Sequence, residues 1–369
     1  MKLNTIFSSV IYVLLFIGCA EKKVDLGKKL YSDANLSKDK TMSCATCHNL
    51  KEGFIDIRST NLKLGASLGD NMFSIADRNA PTLGYAKFTP KFHFDKKEKV
   101  YVGGQFLDGR AKTLKVQAKG PLLNPVEMNM PNETAIINRV KENKEYVRMF
   151  KKIYGSDIFN NTKKAYDAVV DCISAFEKSN IFSPFDSKYD KVLRGTATFT
   201  KQELQGLKLF KDKAKCKNCH PLTDEKHTQA LFTDFTYDNL GVPVNHALRN
   251  VNGKGVHYLD QGLYENPKVH DSKYKGAFRV TSLRNIAVTG PYMHNGVFNN
   301  LATVIHFYNT RDVAGAVNPE TGKVWEDAEV KETKNTDEMG NLKLSKQEEN
   351  ALISFLKTLT DEKYEHLIP

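Results

Sequence analysis

A chain of 369 residues, 40% of them hydrophobic, can bury more than one core, and domains of about 100 to 200 residues point to two. No stretch is apolar for the roughly 18 residues that a membrane-spanning helix needs, which excludes an integral helical membrane protein. The formal charge of +11 belongs either to a solvated lysine-rich surface or to one that steers an acidic partner.

In chain order, Met1-Lys2 precede an apolar run from Val10 to Ile17, followed by Gly18-Cys19. A charged start, a short hydrophobic segment and a small residue before cysteine read as an export signal over residues 1–18. The segment resembles a bacterial lipoprotein signal, in which Cys19 would carry a lipid anchor. Phe16 is an unusual occupant of the lipobox and keeps a plain cleaved signal as the alternative. On both readings the mature chain is expected in the periplasm.

Six cysteines in an exported protein suggest disulfides until their spacing is read. Cys19 belongs to the signal and Cys172 sits alone in an apolar helical pattern, as a buried free thiol. The other four form Cys44-Ala45-Thr46-Cys47-His48 and Cys216-Lys217-Asn218-Cys219-His220, both CxxCH. At helical spacing, positions i, i+3 and i+4 share a face, so two thiols can bind the haem vinyls while the imidazole reaches iron. A zinc ribbon would set its paired knuckles about 15 to 20 residues apart. Here 169 positions separate Cys47 from Cys216, and a histidine follows each pair. Two haem c groups are therefore expected, and nucleic acid is not expected as a partner.

The surroundings of the two motifs repeat as well. Leu26-Gly27-Lys28-Lys29-Leu30-Tyr31 precedes the first and Gln205-Gly206-Leu207-Lys208-Leu209-Phe210 the second, each reading as a helix packed beside an attached haem. Thr200-Lys201-Gln202-Glu203 gives the second helix a capping-box start. Further helices are predicted over Thr134–Tyr154, Thr162–Ser179 and Ser345–Thr360, with a connection at Ser183-Pro184-Phe185-Asp186. No sustained alternation predicts a large sheet. The expected fold is mainly α, with two cytochrome c-like domains, residues 19–185 and 186–369, each holding one covalently attached haem.

Four further segments carry a resemblance: Gln105-Phe106-Leu107-Asp108-Gly109-Arg110, the run Gln117 to Glu127, Arg279-Val280-Thr281-Ser282-Leu283-Arg284-Asn285, and Pro291-Tyr292-Met293-His294-Asn295-Gly296. With the paired CxxCH motifs, they resemble the bacterial di-haem cytochrome c peroxidase and MauG family from about residue 25 to the C-terminus. The resemblance implies hydrogen peroxide as substrate, with the N-terminal haem, held by His48, as the peroxide haem. Glu127 would move the peroxide proton, Gln117 would donate a hydrogen bond to the bound oxygens, and Pro121 would exclude a protein ligand by bulk. Without the family, Glu127 reads as a surface carboxylate after a proline turn. The implied partner is a small electron-donor protein, a cytochrome c or a copper protein. Two alternatives stand beside this: a MauG-like enzyme that oxidises a partner protein, and a di-haem electron carrier. A homodimer is an open expectation.

Many members of the family block the peroxide haem with a histidine upstream of an element that here reads Asn79-Ala80-Pro81-Thr82. Between Asn49 and Arg78 this chain has no histidine, so an open first haem is expected, with Met72 as the competing ligand. At the second haem, His220 is proximal and the resemblance puts Tyr308 at the other ligand position. A buried core tyrosine is the competing reading, and His306 and Met293 are the competing ligands. A phenolate would favour oxidised iron. Leu107 stands where the family has a tryptophan between the haems, and the sole tryptophan is Trp325. Electron transfer is then expected through Phe106, directly from haem to haem, or by another route. The resemblance also implies Ca²⁺, bound by the Asn79 side chain and the carbonyls of Thr289 and Pro291. Asn79 otherwise reads as a turn residue beside proline. Arg110 and Arg284 are expected to hold haem propionates.

Overall fold

This computed structural model describes residues 20–222, 229–255 and 257–369; the export segment and Cys19 lie outside the described residues. Helices dominate, joined by turn-rich loops, and the strands form only two short antiparallel ribbons, His93–Asp95 with Val100–Val102 and Tyr237–Asp238 with Phe278–Arg279. Among the described residues no helix is long and apolar enough to cross a membrane.

The chain divides into two compact units. The first takes in the chain up to Thr46, Gly69–Ser74 and Leu114–Phe182; the second takes in Cys47–Leu68, Ile75–Thr113 and Ser183–Pro369. The last crossing, at Phe182–Ser183, lies close to the boundary read at 185, but the units are not two successive stretches. Two segments of the N-terminal half belong to the second unit because their polar groups are satisfied there. Tyr364 and Asn245 donate to the Leu50 and Leu64 carbonyls, Arg78 pairs with Asp260, Tyr85 donates to Asp361, and the Gly103 N–H donates to the Phe235 carbonyl.

In the first unit, the helix over residues 20–31 crosses the helix Thr162–Glu177 at Gly27. A Cβ on Gly27 would lie 1.9 Å from the Cys172 carbonyl oxygen, so only glycine allows this approach. The longer helix starts at Asn161, whose side chain accepts the Lys164 N–H, and buries Tyr166, Val169, Val170, Ile173 and Phe176. Tyr31 packs edge-on against Phe176 and Phe182, at 5.2 and 5.9 Å. The single helix predicted over 134–154 is two, Glu133–Glu142 and Lys144–Tyr154. Asn143 divides them: its N–H closes the first helix while its side chain accepts the Glu145 and Tyr146 N–H groups that open the second.

The second unit repeats that crossing. Lys201–Lys211 packs on Lys346–Lys357, and a Cβ on Gly206 would lie 1.9 Å from the Ala351 carbonyl oxygen. Both helices begin in capping boxes, Thr200 with Glu203 and Ser345 with Glu348. Tyr189, Phe210, Phe232 and Phe355 meet mostly edge-to-face in the core beneath them. Such ring pairs contribute about 0.5–1.5 kcal/mol each beyond the area they bury.

Candidate active site

The first CxxCH motif forms the one-turn helix Cys44–Cys47, entered through the Ser43 N–H donating to Thr46 Oγ1 at 2.9 Å. The second forms a single tight turn, Cys216–Asn218, after Lys215 in the left-handed region. The histidines that follow are held alike. His48 Nδ1 lies 3.2 Å from the Phe54 carbonyl oxygen and His220 Nδ1 lies 2.7 Å from that of Phe232. A carbonyl only accepts, so it keeps the proton on Nδ1 and makes Nε2 the nitrogen with a lone pair suited to a metal. Burial lowers both imidazole pKa values, His220 to about 4, so each ring is neutral, as a metal ligand must be.

In the second unit, Cys216, Cys219 and His220 line a cavity walled by apolar side chains, among them Phe210, Leu283, Ile286, Leu301 and Ile305. Burial pushes the Cys216 thiol up to about 12. Tyr308 comes from the helix Leu301–Thr310 and lines the same cavity. Its phenol is held well above its ordinary range, by burial first and then by the Cys216 and Cys219 thiols. Two thiols, a neutral imidazole and a phenol in one apolar cavity suit a covalently attached haem. Of the competing ligands, Met293 also lines the cavity, whereas His306 is turned to Glu349, Nδ1 to Oε1 at 2.8 Å.

The expected propionate partners fare differently. Arg284 is fully buried and donates to both oxygens of Asp190, at 2.5 and 2.9 Å, and to the Ala230 carbonyl. Its guanidinium is already used by a carboxylate of this chain, Asp190. Arg110 is half-exposed, lies 3.7 Å over the Phe106 ring and pairs with Asp108 at 2.5 Å. The arginine on the cavity is Arg279, which the sequence reading left without a role. Its hydrogen bonds among the described residues go to neutral acceptors, the Phe106 carbonyl at 3.3 Å and Thr89 Oγ1 at 3.4 Å. Burial holds its pKa below the ordinary range. No local signal separates Arg279 from Arg284; only the Asp190 pair, 94 positions away, does.

Asn79, Thr289 and Pro291, the expected calcium ligands, all line this cavity. Asn79 Nδ2 donates to the Pro291 carbonyl at 2.6 Å, and the Asn79 N–H to that of His294 at 2.7 Å. Oxygen donors converge there, and a half-turn of the Asn79 amide would add Oδ1 to them. Leu107 lines the cavity too. Trp325 packs instead among Phe298 and Phe307 and donates to Thr310 Oγ1 at 2.9 Å, in a core of its own.

In the first unit, Gln117 ends the helix Leu114–Gln117 and Pro121 lies within Lys119–Leu123. Glu127 follows in a compact turn: its N–H donates to the Asn124 carbonyl at 3.0 Å, and the Met128 N–H returns to that of Pro121 at 3.1 Å. Asn124 Nδ2 donates to Glu127 Oε1 at 2.6 Å, and the Asp70 N–H holds the Glu127 carbonyl at 2.9 Å. Gln117, Pro121 and Glu127 are all half-buried. Met72 is half-exposed in a turn beside Phe73, which is 86% exposed. Cys172 is a buried thiol, pushed up to about 11 by its burial, 3.3 Å from the Tyr154 hydroxyl.

The family profile described as di-haem cytochrome c peroxidase matches residues 21–198. Over 348 residues, 93% of this chain and 89% of the relative, the sequence is 43% identical to the methylamine utilization protein MauG of Paracoccus denitrificans. It is 31% identical to the cytochrome c551 peroxidase of Pseudomonas aeruginosa over 75% of this chain and 68% of that one. Among solved structures, the diheme peroxidase BthA from Burkholderia thailandensis superposes with a TM-score of 0.85 at 29% identity, over 94% of this chain and 88% of that chain.

Proposed function

This chain belongs to the di-haem cytochrome c peroxidase and MauG family, and from that premise we propose that it reduces hydrogen peroxide to water with electrons from a small donor protein. It is an oxidoreductase carrying two haem c groups, which supply the iron chemistry and the electron storage when bound. The observation that carries the proposal is the held carboxylate of Glu127, 2.6 Å from the Asn124 amide in the Pro121–Glu127 turn.

Each role follows from the chemistry of the residue. Cys44 with Cys47 and Cys216 with Cys219 would form the thioethers, and His48 and His220 would offer Nε2 to iron. Glu127 takes the proton from one peroxide oxygen and delivers it to the other, its orientation fixed by Asn124. Gln117 donates its amide hydrogens to the bound oxygens, and Pro121 keeps protein ligands out. Tyr308 would offer its phenol oxygen to the iron of the second haem. Arg279 joins Arg110 and Arg284 as a candidate propionate partner, because a cation on the cavity wall with no carboxylate partner among the described residues favours an anion. Replacing Arg279 with leucine should lower the potential of the second haem, and an unmoved potential removes it from that role. Asn79, Thr289 and Pro291 bind Ca²⁺. Export through residues 1–18, with Cys19 as the lipid site, places the enzyme in the periplasm.

A second reading, oxidation of a partner protein, is favoured by Tyr308 on the cavity and the 43% identity to MauG. A phenolate ligand disfavours ferrous iron, so donor electrons would enter the second haem only after peroxide has oxidised it. One experiment separates these readings from an electron carrier: the spectrum of the isolated protein before and after peroxide, with peroxide consumption followed alongside. One high-spin and one low-spin haem with steady consumption in the presence of a reductant supports the peroxidase. Two low-spin haems inert to peroxide would leave only the carrier.

A further inference from the structure

We propose that the face around Phe94 and Tyr101 is the docking surface for a small acidic electron-donor protein, and that the stack of rings beneath it leads each electron toward the cavity of the second CxxCH motif. The proposal rests on the peroxidase reading above and adds the surface and the route.

Phe94 lies on the hairpin formed by His93–Asp95 and Val100–Val102 and is 44% exposed. Its ring meets Tyr101 edge-on at 5.0 Å; Tyr101 stacks parallel on Phe92 at 5.3 Å; Phe92 meets Tyr237 edge-on at 6.2 Å. Exposure falls along this path, from the open Phe94 through the half-buried Tyr101 to the buried Phe92 and Tyr237. Tyr237 sits in the strand Tyr237–Asp238, opposite Arg279. Asp238 and Arg279 both line the cavity with Cys216, Cys219 and His220. Rings in contact therefore run from solvent to the wall of the haem cavity, all within the second unit. Electron tunnelling falls steeply with each gap crossed through space, and packed rings keep those gaps short.

The inner rings need no explanation beyond packing, since Phe92, Tyr237, Leu263 and Tyr274 form a core. Phe94 does not share that core, and a single exposed phenylalanine is ordinary. Its setting is what differs. Lys96, Lys97 and Lys99 crown the hairpin, the Lys268 carbonyl accepts the Tyr101 hydroxyl at 3.2 Å, and Lys273 Nζ lies 5.0 Å from the Tyr274 ring. Tyr274 in turn packs on Tyr101 at 5.2 Å. Three acids lie among these lysines and cancel part of their charge: Asp95, which accepts the Lys97 and Glu98 N–H groups, Glu98, which pairs with Lys97, and Asp271, which pairs with Lys273; Lys96, Lys97, Lys99, Lys268 and Lys273 outnumber them by two. An apolar centre with a cationic rim suits an acidic partner, steered by charge and seated on the ring.

The chain has no tryptophan before Asp108-Gly109-Arg110, and Trp325 packs in the core behind Tyr308, so the stack from Phe94 is an aromatic path that begins at solvent. Each donor molecule gives up one electron and leaves oxidised by one. Two such encounters, with two protons and one H2O2, yield two H2O, and the rings are not consumed.

The test uses the haem-loaded protein with reduced plastocyanin, an acidic one-electron copper protein, a basic cytochrome c as the contrasting donor, and ascorbate-reduced tetramethylphenylenediamine as a donor that needs no docking. With Lys96, Lys97 and Lys99 changed to Glu, KM for plastocyanin should rise about tenfold at low salt with kcat retained, and its salt dependence should flatten. Tyr101→Leu should lower kcat with plastocyanin at least severalfold and leave KM, whereas Tyr101→Phe keeps the ring and the rate. Small-donor turnover should stay at the wild-type level in every variant. Unchanged KM and salt dependence after charge reversal, or a wild type that prefers the basic cytochrome, overturns the docking surface. An unchanged kcat in Tyr101→Leu overturns the route. A wild type that consumes no peroxide even with the small donor overturns the peroxidase reading itself, and the docking proposal falls with it.

Discussion

Gly206 passes so close beneath Ala351 that a methyl group on it would lie 1.9 Å from the Ala351 carbonyl oxygen. Gly27 stands in the same relation to Cys172, also at 1.9 Å, so the repeat seen in the sequence is a repeat of one helix crossing. Gly206→Ala is expected to destabilise the protein by about 1–3 kcal/mol, the usual cost of forcing extra bulk into a packed contact. Denaturant unfolding of the haem-loaded protein measures it. An unshifted midpoint would mean that the two helices can part without loss.

Glu127→Gln keeps the shape of the side chain and the contact with Asn124 but cannot carry a proton. The reaction with peroxide is expected to slow by about 10²- to 10⁴-fold with both haems still attached. Stopped-flow mixing with peroxide reads the rate directly, and a wild-type rate removes Glu127 from the mechanism.

Tyr308 on the cavity leads to a spectroscopic expectation. The oxidised protein should lack the near-infrared sulfur-to-iron band of methionine ligation, and its second haem should be hard to reduce. Tyr308→Phe should convert that haem to high spin, and Tyr308→Met should raise its potential. Methionine-type spectra in the wild type, or a low-spin signal that survives Tyr308→Phe, would transfer the role to another cavity-lining residue, with Met293 the first to examine.

Asn79 donates to the Pro291 carbonyl and both line the cavity with Thr289, so an ion there would brace the segment carrying Asn79 against the one carrying Pro291. Chelation by EGTA is expected to lower activity and shift the haem spin state, with both restored by added Ca²⁺. A fully active preparation shown by metal analysis to hold no calcium would sink the site.

Glu177 is buried on the helix Thr162–Glu177, its Oε2 has no hydrogen-bond partner, and burial raises its pKa to about 8. An unfolded glutamate ionises near about 4.3. Between those values the folded chain keeps a proton that the unfolded chain has lost. Stability should therefore fall as pH rises through that window, by at most about 1.4 kcal/mol per pH unit from this group, and no further above it. Glu177→Gln should raise the melting temperature at pH 8 and much less at pH 4.5. Parallel melting curves against pH for the two proteins would rule out this buried acid.

The chemistry of this protein was legible wherever it depends on near neighbours in the chain. Two thiols and an imidazole must sit at i, i+3 and i+4 to serve one haem, so CxxCH declares itself, and so do the capping boxes at Thr200 and Ser345. The two Gly-containing helices could be paired by likeness alone. The break at Asn143 was missed because the flanking residues keep a helical pattern and only the capping bonds show the restart.

What the sequence left open was settled by contacts between distant segments. Arg279 and Arg284 stand five positions apart with the same chemistry, yet a partner 94 positions away buries one and leaves the other on the cavity. Likewise, nothing local makes Phe94, Tyr101, Phe92 and Tyr237 a single stack, or assigns Cys47–Leu68 and Ile75–Thr113 to the unit that holds the C-terminal half. A spacing rule sees only what one turn of helix can bring together. Which of two like charges is neutralised, and which rings touch, is decided when burial forces every polar group to find a partner wherever the folded chain provides one.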